Sequence, residues 1–388
     1  MTAQVLNVPR PEWLDQEDVN IFEDAVRGFV EKECLPHTDR WEKEGIVDRD
    51  VWTKAGEAGL LCPSCPEEYG GAGGNWAHDY AFHMATTEAG VEGWGASLHN
   101  SIVGPYVWHY GSEEQKKKIL PKLVSGEYVG AIAMSEPGAG SDLQGIKTTA
   151  VKDGNGYRIN GSKTFITNGG TANFIIVVAK TDPKAGAKGT TLFMVETDEV
   201  EGFRRGRNLD KVGMKSQDTA ELFFEDMWVP AEARLGQEEG QGFIQLMEQL
   251  PQERLQIAVQ GVAMMKRALK ETIAYVKERK AFGKAILDFQ NTQFKLAELK
   301  TKATIAEVFT QHCSDLLIKG QLDAATASMA KYWVTDIQCE LIDECVQLHG
   351  GYGYMNEYPI ARMFRDARVQ RIYGGTNEIM KLLIARTL

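Results

Sequence analysis

Three stretches of different hydrophobic period predict an α+β multidomain fold for this sequence: an N-terminal α-helical domain over residues 1–128, a middle β domain over 129–238 and a C-terminal four-helix bundle over 239–388. Apolar residues keep helical spacing to about Val124, short β-rich runs replace them near Tyr128, and helical spacing returns at Gly240. A chain of 388 residues exceeds one ordinary core, which agrees with two or three domains and leaves room to bury a cofactor.

In the first domain Ile21, Phe22, Val26, Phe29 and Val30 recur at intervals of three and four, with Asp15 as the expected cap and Pro36 as the expected end. A glycine-rich connection from Tyr69 to Gly74 leads to a second helical piece. Ser112-Glu113-Glu114-Gln115 opens a third with an acidic first turn, which suits the positive end of the helix dipole. In the middle domain Gly156–Asn160, Phe174–Ala179, Thr191–Val195 and Ala220–Phe224 read as strands, and Gly154, Gly156, Gly161, Gly169 and Gly170 fall in or beside their connections. In the third domain Leu255, Val259, Val262, Leu269, Ile273 and Val276 form one helical stripe. Phe294, Leu299, Ile305, Val308 and Phe309 form another after an AFGK break, Leu341, Ile342, Cys345 and Val346 a third, and Ile379–Ala385 a short last one. Short links make antiparallel packing natural. No internal repeat of 20 to 50 residues is found.

A net charge of −11 argues against nucleic acid or an anionic membrane surface as the partner, so an anionic substrate needs a local basic patch. The six cysteines show no disulfide framework, which fits a reducing compartment. Cys62 and Cys65 form a lone CxxC without the second pair a zinc site needs, and the seven histidines lack metal spacing. No apolar run of membrane-spanning length occurs, and the first twenty residues carry neither a signal-peptide core nor an Arg-rich presequence. A cytoplasmic protein is expected, or a mitochondrial matrix one if the source is eukaryotic.

The chemistry concentrates in Met134–Asp142, MSEPGAGSD, and Thr164–Gly170, TFITNGG. The first leaves an apolar strand, turns through Pro137, Gly138 and Gly140, and ends on Ser141 and Asp142. Its small residues let a ligand lie close to the backbone. Ser135, Ser141 and Thr167 with a run of N–H groups suit a planar, hydrogen-bonding ring with a phosphate tail. Taken alone, EPGAGSD reads equally well as a tight turn. A third segment, Glu278–Gln290 (ERKAFGKAILDFQ), completes a set that in this order resembles the acyl-CoA dehydrogenase flavoproteins, over nearly the whole chain and most closely the long-chain members in its C-terminal half.

The resemblance implies FAD between the β domain and the bundle, with a second subunit covering its far end. Met134 and Ser135 then contact the ring, Phe165 packs along it, and Thr167 hydrogen-bonds near the hydride-accepting nitrogen, with Ser141 beside the cofactor and substrate. Arg279, Phe282 and Gln290 come from the neighbouring subunit to the pyrophosphate and adenine end, and Gln347–Gly351, including Gly350 and Gly351, contribute in the same way. Thr376 and Glu378 close the site. An arginine forks onto phosphate, although a solvated charge beside Lys277 and Lys280 is the plain alternative for Arg279. The implied assembly is at least a dimer and usually a dimer of dimers. The implied partners are an acyl-CoA substrate and an electron-transferring flavoprotein.

Removing a proton α to a thioester while a hydride leaves the β carbon demands a carboxylate base and donors to the enolate-like oxygen. Many family members keep that base in a Tyr-Glu-Gly-Thr segment, whereas this chain reads Tyr373-Gly374-Gly375-Thr376. Long-chain and isovaleryl-type members carry theirs in a segment similar to Leu250-Pro251-Gln252-Glu253-Arg254-Leu255, which makes Glu253 the expected base. Read without the family, a glutamate two residues after proline is a first-turn residue favouring the dipole. The resemblance implies that Gly374 supplies its backbone N–H as the donor to the thioester oxygen, a role that needs no side chain. Arg254 is assigned a place near the CoA end, and Trp94, within Gly93–Ser97 where long-chain members line the deep end of the acyl pocket, shortens or bends that cavity or serves only as core. The rivals are an acyl-CoA oxidase or flavin monooxygenase on the same fold, and a catalytically silent acyl-CoA binding protein that Gly374 suggests.

Overall fold

The computed structural model describes residues 5–198 and 200–388. Helices α1 (Glu17–Phe29), α2 (Thr38–Glu44), α3 (Arg49–Glu57), α4 (Trp76–Ala89), the single turn α5 (Ala96–Leu98), α6 (Gly104–Tyr110) and α7 (Glu113–Val124) come first. Two details differ from expectation. Gln16, not Asp15, occupies the cap of α1 and makes no side-chain cap bond, while Asp15 accepts from the Asn20 amide. Pro36 does not end the run either: it sits near the start of a three-residue helical turn, where its missing N–H costs little, and the chain re-enters helix as α2. At α7 the expected signal holds, with the Ser112 hydroxyl accepting from Gln115 N and the Gln115 side chain accepting from Ser112 N.

The middle domain is a seven-stranded sheet of β1 (Gly130–Ala133), β2 (Thr149–Asp153), β3 (Gly156–Thr167), β4 (Phe174–Lys180), β5 (Thr190–Glu196), β6 (Phe203–Asn208) and β7 (Thr219–Pro230). Strand β4 pairs in parallel with β1 and antiparallel with β5 over the same residues, so it is central, and all seven of its residues are buried. Long antiparallel β3 and β7 carry two register shifts, one of them between Lys163 and Ile166.

The bundle begins with α8 (Gly242–Glu278), followed by a tight hairpin β8 (Lys280–Ala281) and β9 (Lys284–Ala285), then α9 (Gln290–Ile318) and α10 (Ala324–His349). The shorter α11 (Pro359–Ala367) and α12 (Asn377–Ala385) pack on α10. The expected AFGK break is thus a hairpin turning at Phe282 and Gly283, both with positive φ as a primed turn requires. One apolar core joins α4 to α8, α9 and α10: Tyr80, Ala81 and Met84 lie with Leu255, Val259, Val262, Leu299 and Val334. The N-terminal domain is therefore locked against α8. Among the described residues no helix is long and apolar enough to cross a membrane.

Candidate active site

Helix α8 runs straight through Pro251, so Glu253 is an interior helical residue rather than a first-turn one. Its side chain is 5% exposed and meets α6, where the Tyr106 hydroxyl donates to Oε1 at 2.9 Å. Burial pushes the Glu253 carboxyl up from 4.5 to about 7, while the Tyr106 hydrogen bond and the Arg254 charge pull the other way. One turn along α8, Ile257 occupies the same face. A Cβ built on Gly374 would lie 2.4 Å from Ile257 Cδ1, and Gly374 has φ +65°. The carboxylate and the Gly374 backbone are thereby brought to one side of one helix.

The two glycine-rich segments of the middle domain are tied to each other. Thr164 N donates to Ser135 O at 3.0 Å, and the Lys163 ammonium donates to Met134 O at 3.0 Å and to Glu136 Oε1 at 2.9 Å. Glu136 also accepts from Lys147 N and Thr148 N, which closes the loop that carries Ser141. Burial lowers Lys163 to about 8, against the Glu136 charge. The bulge in β3 falls at Thr164-Phe165, and Phe165 sits at φ +60° with 69% of its surface exposed. A large apolar side chain held outward in a disfavoured backbone conformation points to something that covers it. Met134, Ser135 and Thr167 are half-buried nearby, and Ser141 is exposed.

A second group gathers at the other end of α8. Arg279, Gln347, Gly350 and Gly351 line a groove of about 480 Å³ with Tyr275 and Tyr352, and the Arg279 guanidinium stacks 5.6 Å from the Tyr352 ring centre. Phe282 projects from the hairpin at φ +51°, 95% exposed, and Gln290 is exposed at the start of α9. With 1.5 Å of rise per residue, Glu253 and Arg279 stand about 39 Å apart along α8. The predicted site residues therefore form two groups, which the chain does not bring together by itself.

Both groups contain glycines whose identity the chain alone does not explain. Gly138, Gly140 and Gly351 have ordinary φ, and a Cβ on any of them would meet nothing within 4 Å. Glycine there leaves room for an outside group to approach the backbone, which fits the flavin dinucleotide that the resemblance implies. Gly95, by contrast, is needed internally: its Cβ would lie 1.9 Å from Asn168 Oδ1. Asn168, at φ +60° in TFITNGG, donates from its amide to Gly95 O and Gly130 O and so ties the middle domain to the N-terminal one.

Trp94, next to Gly95, lies in an aromatic core with Phe29, Trp52 and Phe82, each ring centre 5.8 Å away; that packing accounts for it without a substrate. Arg254 is buried, with Nη1 donating to Ser328 Oγ at 3.4 Å. Thr376 caps α12, its hydroxyl accepting from Ile379 N at 3.4 Å, and Glu378 is exposed in the first turn. Cys62 and Cys65 are free and buried, and burial pushes the Cys65 thiol up to about 12. Among the described residues no cluster of three or more His, Cys, Asp or Glu side chains has metal-ligand geometry.

Sequence reasoning missed Tyr106, Lys163 and Lys331. Tyr106 carries no local signal, being 147 residues from Glu253. Lys163 and Lys331 read as ordinary polar positions, yet both are almost fully buried.

Profiles of the acyl-CoA dehydrogenase N-terminal, middle and C-terminal domains match residues 16–127, 131–227 and 240–388. A mitochondrial long-chain specific acyl-CoA dehydrogenase of Sus scrofa is 52% identical over 95% of this chain and 86% of its own length. The crystal structure of an acyl-CoA dehydrogenase from Geobacillus kaustophilus superposes with a TM-score of 0.94 at 49% identity, covering 96% of this chain and 98% of that one. A glutaryl-CoA dehydrogenase from Mycobacterium smegmatis in complex with FADH2 gives a TM-score of 0.91 at 27% identity, with 99% and 97% covered.

Proposed function

The chain belongs to the acyl-CoA dehydrogenase family, an FAD-dependent enzyme family, and from that premise we propose that it converts a long- or branched-chain acyl-CoA to the trans-2-enoyl-CoA. Glu253 carries this reading: a buried carboxyl raised to about 7, on the helical face that also reaches Gly374. A base of that strength holds the α proton well enough to remove it and is still largely ionised just above neutrality.

Glu253 takes the α proton while the Gly374 N–H donates to the thioester oxygen, where negative charge develops. Tyr106 holds the carboxylate in place from the N-terminal domain. Met134, Ser135, Phe165, Thr167, Thr376 and Glu378 hold the ring end of FAD, which when bound supplies the acceptor for the β hydride. Arg279, Phe282, Gln290, Gln347, Gly350 and Gly351 hold the other end from a second copy, within a pair of dimers. Ser141 faces the CoA portion with Arg254 near that end, and the acyl chain runs between the N-terminal helices and the bundle. An electron-transferring flavoprotein then collects the electrons. A catalytically silent carrier would have no use for the desolvation that Glu253 suffers.

Anaerobic mixing of the FAD-loaded protein with a panel of acyl-CoAs tests the reaction. Substrate should bleach the flavin band, and reoxidation in air should be slow, which separates a dehydrogenase from an oxidase or monooxygenase. Glu253→Gln should slow bleaching by about 10²- to 10⁴-fold, with FAD content and acyl-CoA binding near normal. Bleaching at the wild-type rate in Glu253→Gln would dismiss the assignment.

A further inference from the structure

The Gly374-Gly375 turn has no side chains to hold it. Both residues are left-handed, at φ +65° and +92°, and the atoms nearest their Cβ positions are apolar: Ile257 Cδ1 and Met380 Cε. The polar restraint arrives from α10. Lys331, 0% exposed, donates from Nζ to the Gly375 carbonyl at 2.7 Å and to Asn377 Oδ1 at 2.9 Å. Asn377 is itself fixed, donating from Nδ2 to Tyr332 O, Thr335 Oγ1 and Asp336 Oδ1.

Among the described residues no carboxylate lies within ion-pair distance of this ammonium. Asp336, on the same helix, pairs with Arg371 and Lys381 instead. Burying an unpaired ammonium is costly, and a leucine or methionine would fill the same space without that cost. Burial foremost, and the Arg254 charge next, lower Lys331 to about 7; Asp336 and Glu378 oppose this, and Arg371 adds to it. What only the lysine supplies is the grip on a carbonyl one residue beyond the Gly374 donor. Arg254 reaches the same face of α10, through Ser328 one turn before Lys331.

We propose that Lys331 is a positioning residue: by holding the Gly375 carbonyl it fixes the turn in the conformation that aims the Gly374 N–H at the thioester oxygen. This rests on the dehydrogenase reading above. Lys331→Met removes the donors at similar volume, and Lys331→Gln keeps one neutral donor if the first variant fails to fold. Both are compared with wild type as FAD-loaded proteins.

Amide hydrogen exchange of a peptide spanning residues 373–377 should quicken in Lys331→Met and less so in Lys331→Gln, with the helices unchanged. Flavin reduction at saturating acyl-CoA should fall by at least about tenfold in Lys331→Met and recover in part in Lys331→Gln, while its half-saturating concentration moves by less than about threefold. Unchanged exchange overturns the proposal. So does faster exchange with a wild-type reduction rate per bound flavin, which would make the lysine a structural pin. If no acyl-CoA reduces the wild-type flavin, the dehydrogenase reading has failed and Lys331 has no donor to position, whereas a reactive wild type beside an unaffected variant condemns Lys331 alone.

Discussion

At the scale of single residues, Glu253, the proposed base, sets function against stability. Its carboxyl is raised from 4.5 to about 7 by burial, so the folded state binds the proton more tightly than the unfolded one. Its neutral form lets the fold keep full stability below about pH 4.5, and that stability drains away as pH rises towards 7, where the loss levels off. Glu253→Gln should therefore be more stable than wild type by about 3 kcal/mol at pH 8 and no more stable at pH 4, as urea denaturation at the two pH values would reveal. Tyr106 contributes the opposing effect, since its hydroxyl favours the ionised carboxylate. In Tyr106→Phe the Glu253 carboxyl is harder to ionise, and if it is the base, as proposed, the rise of flavin-reduction rate with pH should move to higher pH. A rising limb at the wild-type position would mean that Tyr106 does not touch the working form of the base. The pair was not legible in the chain: LPQERL marked the glutamate through resemblance, but its hydrogen-bond partner is a tyrosine from another domain.

Elements were more legible than their partners. Helix α7 follows from its capping box, and β4 from an unbroken apolar run, because both signals act within a few residues. The short strands β2 and β6 escaped, since β6 is largely exposed and lacks alternation. Site geometry escaped for a similar reason: the β3 bulge that turns Phe165 outward is set by pairing with β7, which no local pattern encodes. Glycine told more. Gly351 follows α10 with an ordinary φ and open space at its Cβ, so the fold itself tolerates a larger residue there. Gly351→Val should leave helical circular dichroism and the unfolding midpoint within about 0.5 kcal/mol of wild type, yet lose FAD on dialysis. Full flavin retention in that variant would remove the groove from the cofactor site.

For the whole molecule, the length of α8 decides the argument. It places Glu253 in the N-terminal third of the helix and Arg279 just past its C-terminal end, about 39 Å away, farther than one flavin dinucleotide reaches from its ring to its adenine. Exposed Phe165 and Phe282, one in each group and both in left-handed backbone, are the surfaces a second copy and a shared cofactor would cover. If each site takes Glu253 from one chain and Arg279 from another, two crippled chains can repair each other. Arg279→Ala alone should lose FAD, and Glu253→Gln alone should keep FAD but lose turnover. Coexpressed, they form mixed dimers in which one site has both intact residues and the other has neither. Random pairing then restores about a quarter of wild-type activity. Sites built within single chains would give no recovery at any mixing ratio, because every site would retain one lesion. Activity measured against the ratio of the two variants distinguishes these outcomes, and a flat, inactive profile would return Arg279 to the solvated surface.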